Sequence, residues 1–417
     1  MKQDDLIVIG GGAAGLTAAG LAAREGLKVR VLETRERPAR KILVTGKGRC
    51  NLTNNCSPED FLKNVRQNPK FLTSAIWGFP PSATMELFES LGVPLKTERG
   101  NRVFPVSDSA RDIVDALTRL IRQGDVSLVC GKVSRLLLED GRAVGAALED
   151  GREFRGQAVL LATGGKSYPA TGSDGSGYEL ARQAGHTITP LRPSLIPILC
   201  RESCCADMMG LSLKNVTLTL WEEGKKKPLY SELGEMLFTH FGVSGPLVLS
   251  ASSYMKGPAD RYRLTIDLKP GLTLEQLDAR LLRDLGENPN KAPGNLLGLL
   301  LPRTMVPVML RAAELPGELK ANQVTRAQRQ RLEQLVKAFP LTPKGLRPIE
   351  EAVVTSGGVS VREVDPSTMA SKLCPGLYFA GEVLDVDAYT GGYNLQIAFS
   401  TAWQAAQAIL EKRGMKK

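Results

Sequence analysis

The chain has 417 residues, 42% hydrophobic and 24% charged, with a formal net charge of +10; this excludes a disordered or fibrous protein and allows two or three domains with a large core. No run reaches the roughly 18 apolar residues of a membrane span, and Met1-Lys2-Gln3-Asp4-Asp5 leads into a strand rather than a signal peptide, so a cytoplasmic protein with no membrane partner is expected. The seven cysteines include no C-x-x-C pair, and Cys200, Cys204 and Cys205 lie far in sequence from His186 and His240, so no metal site is expected.

In chain order, the first element carries the most chemistry. Leu6-Ile7-Val8-Ile9 is an apolar run of strand length that enters Gly10-Gly11-Gly12-Ala13-Ala14-Gly15. In a G-x-G-x-x-G turn, Gly10 makes the tight turn, Gly12 lets backbone approach a pyrophosphate, and Gly15 lets the helix pack on the strand. The spacing predicts a helix over 13–25 that stops at Gly26; its first turn, at Ala13 and Ala14, offers N–H groups and a dipole to a diphosphate. The next strand, 28–32, ends at Glu33, where an acid accepts hydrogen bonds from a ribose diol and repels a 2′-phosphate. This stretch predicts a dinucleotide site without separating FAD from NAD.

The segment from Arg40 to Asn54 is basic and rich in glycine, too irregular for a helix and too polar for a buried strand. It reads as a loop against something charged, with Gly46 and Gly48 admitting a flat ring and Lys41, Lys47 and Arg49 meeting phosphates or an electron-rich ring edge. Helices are predicted from Ser57-Pro58, over 82–91, and over 109–124. Asp140-Gly141 and Asp150-Gly151 then mark a three-stranded antiparallel meander, whose last strand, ending at 158–162, rejoins the parallel sheet. Thr163-Gly164-Gly165 follows as a second close-approach turn.

From Leu191 the pattern changes. Alternating runs at 216–220 and 262–267, with a strand-to-glycine-turn segment between Gly234 and Pro246, predict a small antiparallel barrel or sandwich. Residues 273–338 read as helical, with capping boxes at Thr273-x-x-Gln276 and Thr325-x-x-Gln328. Strand character resumes at 352–354. The chain then runs through Gly376-Leu377-Tyr378-Phe379-Ala380-Gly381-Glu382, past Asp385 and Asp387, to Gly391-Gly392-Tyr393-Asn394-Leu395-Gln396, which opens a helix over 393–412. A strand ending at a carboxylate, and a helix starting at a Gly-Gly pair, look like the place where an FAD enzyme holds the ribityl chain through Glu382. The helix N-terminus there would face the flavin O2 and stabilise negative charge.

These stretches together resemble the BaiN-like and aminoacetone-oxidase-like FAD-dependent oxidoreductases over nearly the whole chain. The resemblance rests on Gly10 to Gly15, Lys41 to Asn54, Gly234 to Pro246 and Gly376 to Gln396. It implies an α/β fold with a Rossmann-type, glutathione-reductase-like FAD domain over 1–190 and 359–417. A discontinuous antiparallel β-barrel would span 191–272 and 339–358, and a helical domain would be inserted at 273–338. Arg40, Lys41, Gly46, Gly48, Arg49, Cys50 and Asn51 of the second motif are implied as FAD contacts. So are Val133, Thr163, Gly164, Gly165, Gly381, Glu382, Gly391, Gly392, Asn394 and Leu395.

No second strand–G-x-G-x-x-G–helix unit occurs, so NAD(P)H is expected as a transient donor without a domain of its own. The expected reaction is reduction of a C=C bond conjugated to a carbonyl, with a hydride from flavin N5 and a proton from a protein acid. Tyr393, Tyr168 and His240 are the candidates for that acid, and each also fits a purely structural role. An oxygen-dependent amine oxidase is the rival enzyme. An RNA-associated flavoprotein is a third reading, disfavoured because aromatic and basic residues are not interleaved. Basic residues cluster only at Lys225-Lys226-Lys227 and Lys416-Lys417, so a solvated basic surface is the preferred reading of the charge over steering of an anionic partner; a small-molecule substrate, which the basic balance would favour as an anion, is expected rather than nucleic acid, and the oligomeric state stays open.

Overall fold

Leu6, Ile7 and Val8 are fully buried and Ile9 nearly so, as a central strand of a parallel sheet covered on both faces requires. The computed structural model describes residues 3–414, with the side chains of Thr45 and Lys47 outside the described set. It divides into two units, Met1–Ser194 with Pro348–Lys417, and Leu195–Arg347.

In the first unit five parallel strands stand in the order Val126–Cys130, Val29–Glu33, Asp4–Ile9, Glu153–Leu161, Leu377–Phe379. Glu153–Leu161 also pairs antiparallel with Arg142–Leu148, which pairs with Val133–Glu139; this is the expected meander. Helix Ala13–Arg24 follows the glycine turn, and Ala110–Ile121 packs close on it, a Cβ at Gly20 meeting Leu120 Cγ at 2.4 Å. The 20-residue helix Tyr393–Lys412 carries most of its buried residues into the same core.

Ser57 caps helix Pro58–Lys63 by accepting from the Asp60 N–H, and Ser109 caps Ala110–Ile121. The helix expected over 82–91 begins earlier, at Pro81, because proline suits the first helical position. A helix over Thr73–Gly78 was not expected; it lacks a capping side chain and is held by packing, Gly78 lying under the Trp403 ring. The segment 40–54 is not wholly a loop, since Arg40–Val44 forms one α-helical turn and Thr45–Gly48 a 3-10 turn. Strand character is displaced from 352–354 to Val354–Ser356, which pairs antiparallel with Arg192–Ser194 inside the first unit.

The second unit is a seven-stranded antiparallel sheet. Its two end strands, Phe339–Leu341 and Pro343–Leu346, are successive pieces of one stretch bent at Thr342. The first pairs with Tyr262–Asp267 and the second with Ile198–Cys200, so the sheet closes into a barrel through one bent strand. The Thr342 N–H, lost to the ladder at the bend, donates to the Glu202 carboxylate at 2.9 and 3.0 Å. Helices Leu274–Gly286 and Arg326–Lys337 begin with both expected capping boxes. Leu277, Leu281, Leu332 and Val336 share one apolar cluster with barrel residues Ile266 and Phe339. Among the described residues no helix is long and apolar enough to cross a membrane.

Candidate functional site

The glycine turn separates its three tasks spatially. A Cβ on Gly10, which has φ +102°, would sit 2.5 Å from the Ala162 carbonyl oxygen, and a Cβ on Gly15 would sit 1.8 Å from the Gly10 oxygen. Both positions are filled by backbone and accept only glycine. Gly12 differs, since a Cβ there meets nothing within 4 Å. Helix Ala13–Arg24 starts at Gly12 with no capping side chain, so its first N–H groups open on this space. Glu33 is 9% exposed and accepts from the Gly11 N–H at 2.6 Å and the Arg35 N–H at 2.9 Å. An open space beside helix N–H groups with a buried carboxylate at its rim fits the diphosphate and ribose of FAD.

Residues far apart in sequence converge at the same carboxyl end of the parallel sheet, beyond strands Glu153–Leu161 and Leu377–Phe379. Lys41 Nζ donates to Glu382 Oε2 and to Ser167 Oγ, both at 2.7 Å. Glu382 Oε1 accepts from the Thr355 N–H at 2.9 Å and lies 3.2 Å from Ser167 Oγ. Gly165 completes the contact, because a Cβ there would meet Thr355 Oγ1 at 2.5 Å and Glu382 Oε1 at 2.7 Å. Ser167 and Thr355 were not foreseen: neither stands in a motif, and only the crossing of 163–167, 353–356 and 381–383 brings them to the carboxylate.

The segment after Cys50 is stitched to the C-terminal glycine pair. Asn54 Nδ2 donates to the Gly391 carbonyl at 3.1 Å, and the Asn51 side-chain oxygen accepts from the Gly392 N–H at 3.1 Å. Thr53 Oγ1 donates to Gln396 Oε1 at 2.6 Å. Gly391 and Gly392 both have positive φ, and a Cβ on Gly392 would strike the Thr53 carbonyl at 2.3 Å. Helix Tyr393–Lys412 therefore begins against backbone, with no capping side chain.

Two expected contacts need correction at the level of the side chain. Arg49 lies over the Phe104 ring and bonds Glu98 and Asp108, and these acids push its pKa further up; its charge is committed to them rather than to a phosphate or ring edge. The Asn394 amide is spent on the Ala388 N–H and carbonyl, at 3.0 and 2.9 Å, fixing the turn before the helix. Cys50 is fully buried with φ +55°, Arg40 is exposed, and Gly46 and Gly48 take positive φ. Val133 opens its strand opposite Leu148, and Leu395 packs against the core. The side chain of Lys47 lies outside the described residues, as do Lys416 and Lys417.

Of the acid candidates, Tyr168 is half-buried with φ +53°, adjacent to Ser167. Tyr393 is 9% exposed, its ring edge-on to Phe61 at 5.1 Å. His240 belongs to the second unit, exposed at the turn before Gly242–Ser244 with its ring edge-on to Phe241.

The family model described as HI0933-like protein Rossmann domain matches residues 4–408. The chain is 33% identical over 411 residues to a 3-dehydro-bile acid delta(4,6)-reductase of Clostridium scindens, covering 97% of this chain and 98% of that protein. It is 32% identical over 412 residues to a ribosomal RNA dihydrouridine synthase of Escherichia coli, covering 98% and 99%. A solved 3-ketosteroid-delta4-(5alpha)-dehydrogenase from Rhodococcus jostii shares the fold, with a TM-score of 0.54, 18% identity, and coverage of 100% of this chain and 97% of the other.

Proposed function

The chain belongs to the HI0933-like Rossmann FAD-binding family of oxidoreductases, and from that premise we propose that it reduces a C=C bond conjugated to a carbonyl, with NAD(P)H as a transient electron donor. What carries this reading is near-full-length similarity to two proteins whose names describe one kind of chemistry. A delta(4,6)-reductase and a dihydrouridine synthase each saturate a ring C=C bond, and in a 3-oxo steroid and in uracil that bond is conjugated to a carbonyl.

FAD, when bound, supplies hydride transfer at its N5. The chain's own contribution is electrostatic and positional. The N-terminus of Tyr393–Lys412, unobstructed by a capping side chain, favours negative charge at the O2 edge of the ring. Glu382, oriented by Lys41, Ser167 and the Thr355 N–H, is held for the ribityl hydroxyls. Tyr168, one residue from Ser167, is the preferred proton donor of the candidates, since Tyr393 is buried against Phe61.

The 32% identity to a ribosomal RNA dihydrouridine synthase supports a second form of the reading, a uridine in RNA, with which the net charge of +10 is compatible. Anaerobic mixing with NADH or NADPH, then reoxidation by a 3-oxo-4,6-diene steroid, a uridine-rich ribosomal RNA fragment, or oxygen with small amines, tests the proposal. Nicotinamide-driven bleaching, reversed by the steroid or the RNA, is expected. Rapid hydrogen peroxide formation from amines, without bleaching by either nicotinamide, would establish an amine oxidase instead.

A further inference from the structure

One of the four stretches on which the family resemblance rests, Gly234 to Pro246, lies in the second unit, and the cofactor reading makes no use of it. Its glycines are explained by packing, since a Cβ on Gly242 would lie 2.3 Å from the Ile198 carbonyl oxygen and one on Gly245 would lie 2.9 Å from Met236 Cα. The side chains at its turn are not explained in this way. His240 is exposed, Phe241 is half-buried, and their rings stand edge-on at 4.9 Å.

Strand pairing surrounds this turn with cations from distant parts of the chain. Strand Ile198–Cys200 lies between Gly242–Ser244 and Pro343–Leu346. Ile198 and Val243 are fully buried in the core, so Leu199 and its two partners, Gly242 and Gly345, form the outer face. With glycine on both sides of Leu199 that face has little relief, and the Arg347 guanidinium lies over the Phe241 ring, 5.0 Å from its centre. Arg201, whose N–H donates to the Thr342 carbonyl, and Lys344 are both exposed. Neither has an ion-pair partner among the described residues, and Glu202, beside Arg201, spends both carboxylate oxygens on the Thr342 N–H. Aromatic and basic residues are thus interleaved in space although they are not interleaved along the chain. A guanidinium lying on a ring keeps its other face for a nucleobase, and cations beside it track a phosphate backbone.

We propose that the turn Thr239–Gly242, with Arg201, Lys344 and Arg347, is a binding surface for single-stranded RNA that grips nucleotides flanking the uridine to be reduced. This rests on the RNA form of the proposed function. His240 then serves binding rather than proton transfer, and the surface takes no part in the redox chemistry.

The test titrates FAD-loaded protein into a single-stranded, uridine-rich RNA carrying a red fluorophore and reads anisotropy over a range of salt. R201Q/K344Q, which changes two exposed side chains, is expected to bind more weakly and to flatten the slope of log affinity against log salt by about 1.4, two phosphate contacts at about 0.7 each on a single strand. F241A removes the stacking platform and is expected to weaken binding roughly 5- to 150-fold while leaving the salt slope in place. Bleaching of the flavin by NADH or NADPH should match the wild type in both variants. Wild-type affinity and salt slope in R201Q/K344Q would overturn the proposal, whether or not F241A folds. Loss of NADPH-driven bleaching in step with RNA binding would overturn it as well, by showing a dinucleotide site. A wild-type protein that reduces the steroid but does not bind the RNA would refute the RNA form of the function itself, and this surface with it, so the two failures are distinguishable.

Discussion

Replacing Glu33 by Ala tests whether this carboxylate builds the dinucleotide loop as well as binding its ligand. The Gly11 N–H is buried and donates to Glu33 Oε2 at 2.6 Å. Losing a buried hydrogen bond to a charged acceptor costs about 1.5–3 kcal/mol. The bond from the Arg35 N–H is only partly buried, so water replaces it and adds little. A total of about 2–3 kcal/mol, with an m-value of about 3 kcal/mol/M, lowers the urea midpoint of the apoprotein by roughly 0.7–1 M. Circular dichroism on apoprotein measures this without the cofactor. Glu33→Gln keeps an acceptor for Gly11 but loses the charge, and about half of the shift should return. The holoprotein should lose a further 10- to 100-fold in FAD affinity through the missing ribose contacts. An E33A apoprotein that unfolds at the wild-type midpoint would refute the structural half of the argument, whatever happened to FAD.

Gly12→Ala should leave the apoprotein midpoint within a few degrees of wild type yet abolish FAD retention, because the added methyl fills only the open space; Gly15→Ala, clashing with the Gly10 carbonyl, should fail to fold, and a yellow G15A protein would contradict the assigned roles. Lys41→Met should destabilise the protein by about 1–3 kcal/mol by leaving Glu382 uncompensated, and adding Glu382→Gln should recover part of it in thermal unfolding; no recovery would mean that the pair is not coupled. Burial lowers the His186 pKa against the opposing pull of Glu363, while Nε2 sits 2.7 Å from Ser371 Oγ. Its neutral form therefore contributes stability that is present above the unfolded pKa of about 6.5 and is lost as pH falls through the lowered folded value; His186→Phe should flatten that part of a pH–stability profile.

The parts of the site that lie within one stretch were legible in the sequence. Gly10 and Gly15 pack against backbone as their spacing implies, Gly12 opens on free space, and Glu33 stands at the end of its strand, because strand, turn and helix fix these positions locally. The capping boxes at Thr273 and Thr325 were equally readable, since each is closed by residues three apart. Arg49 was misjudged because nothing near it in sequence announces Glu98 and Asp108, which reach it through the strand pair Leu95–Glu98 and Arg102–Pro105. Ser167 and Thr355 were invisible for a related reason. Their significance depends on where Glu382 lies, and that is set by the packing of segments nearly two hundred residues apart.

The bent strand that closes the barrel also orders events in time. Phe339–Leu341 and Pro343–Leu346 cannot complete the sheet until the chain has passed through the helical excursion, and their partners, Tyr262–Asp267 and Ile198–Cys200, were made much earlier. Until then both flanking strands present unpaired backbone edges, templates for pairing with another chain. The excursion shortens that interval by returning to its starting point. Lys337 Nζ lies 2.6 Å from Asp267 and donates to the carbonyls of Lys269 and Leu272, so the helices deliver the closing strand next to the edge it must join. On a ribosome this segment is exposed to neighbouring chains chiefly between synthesis of residue 267 and residue 346, and the capping boxes at Thr273 and Thr325 favour its helices locally before packing against the barrel completes them.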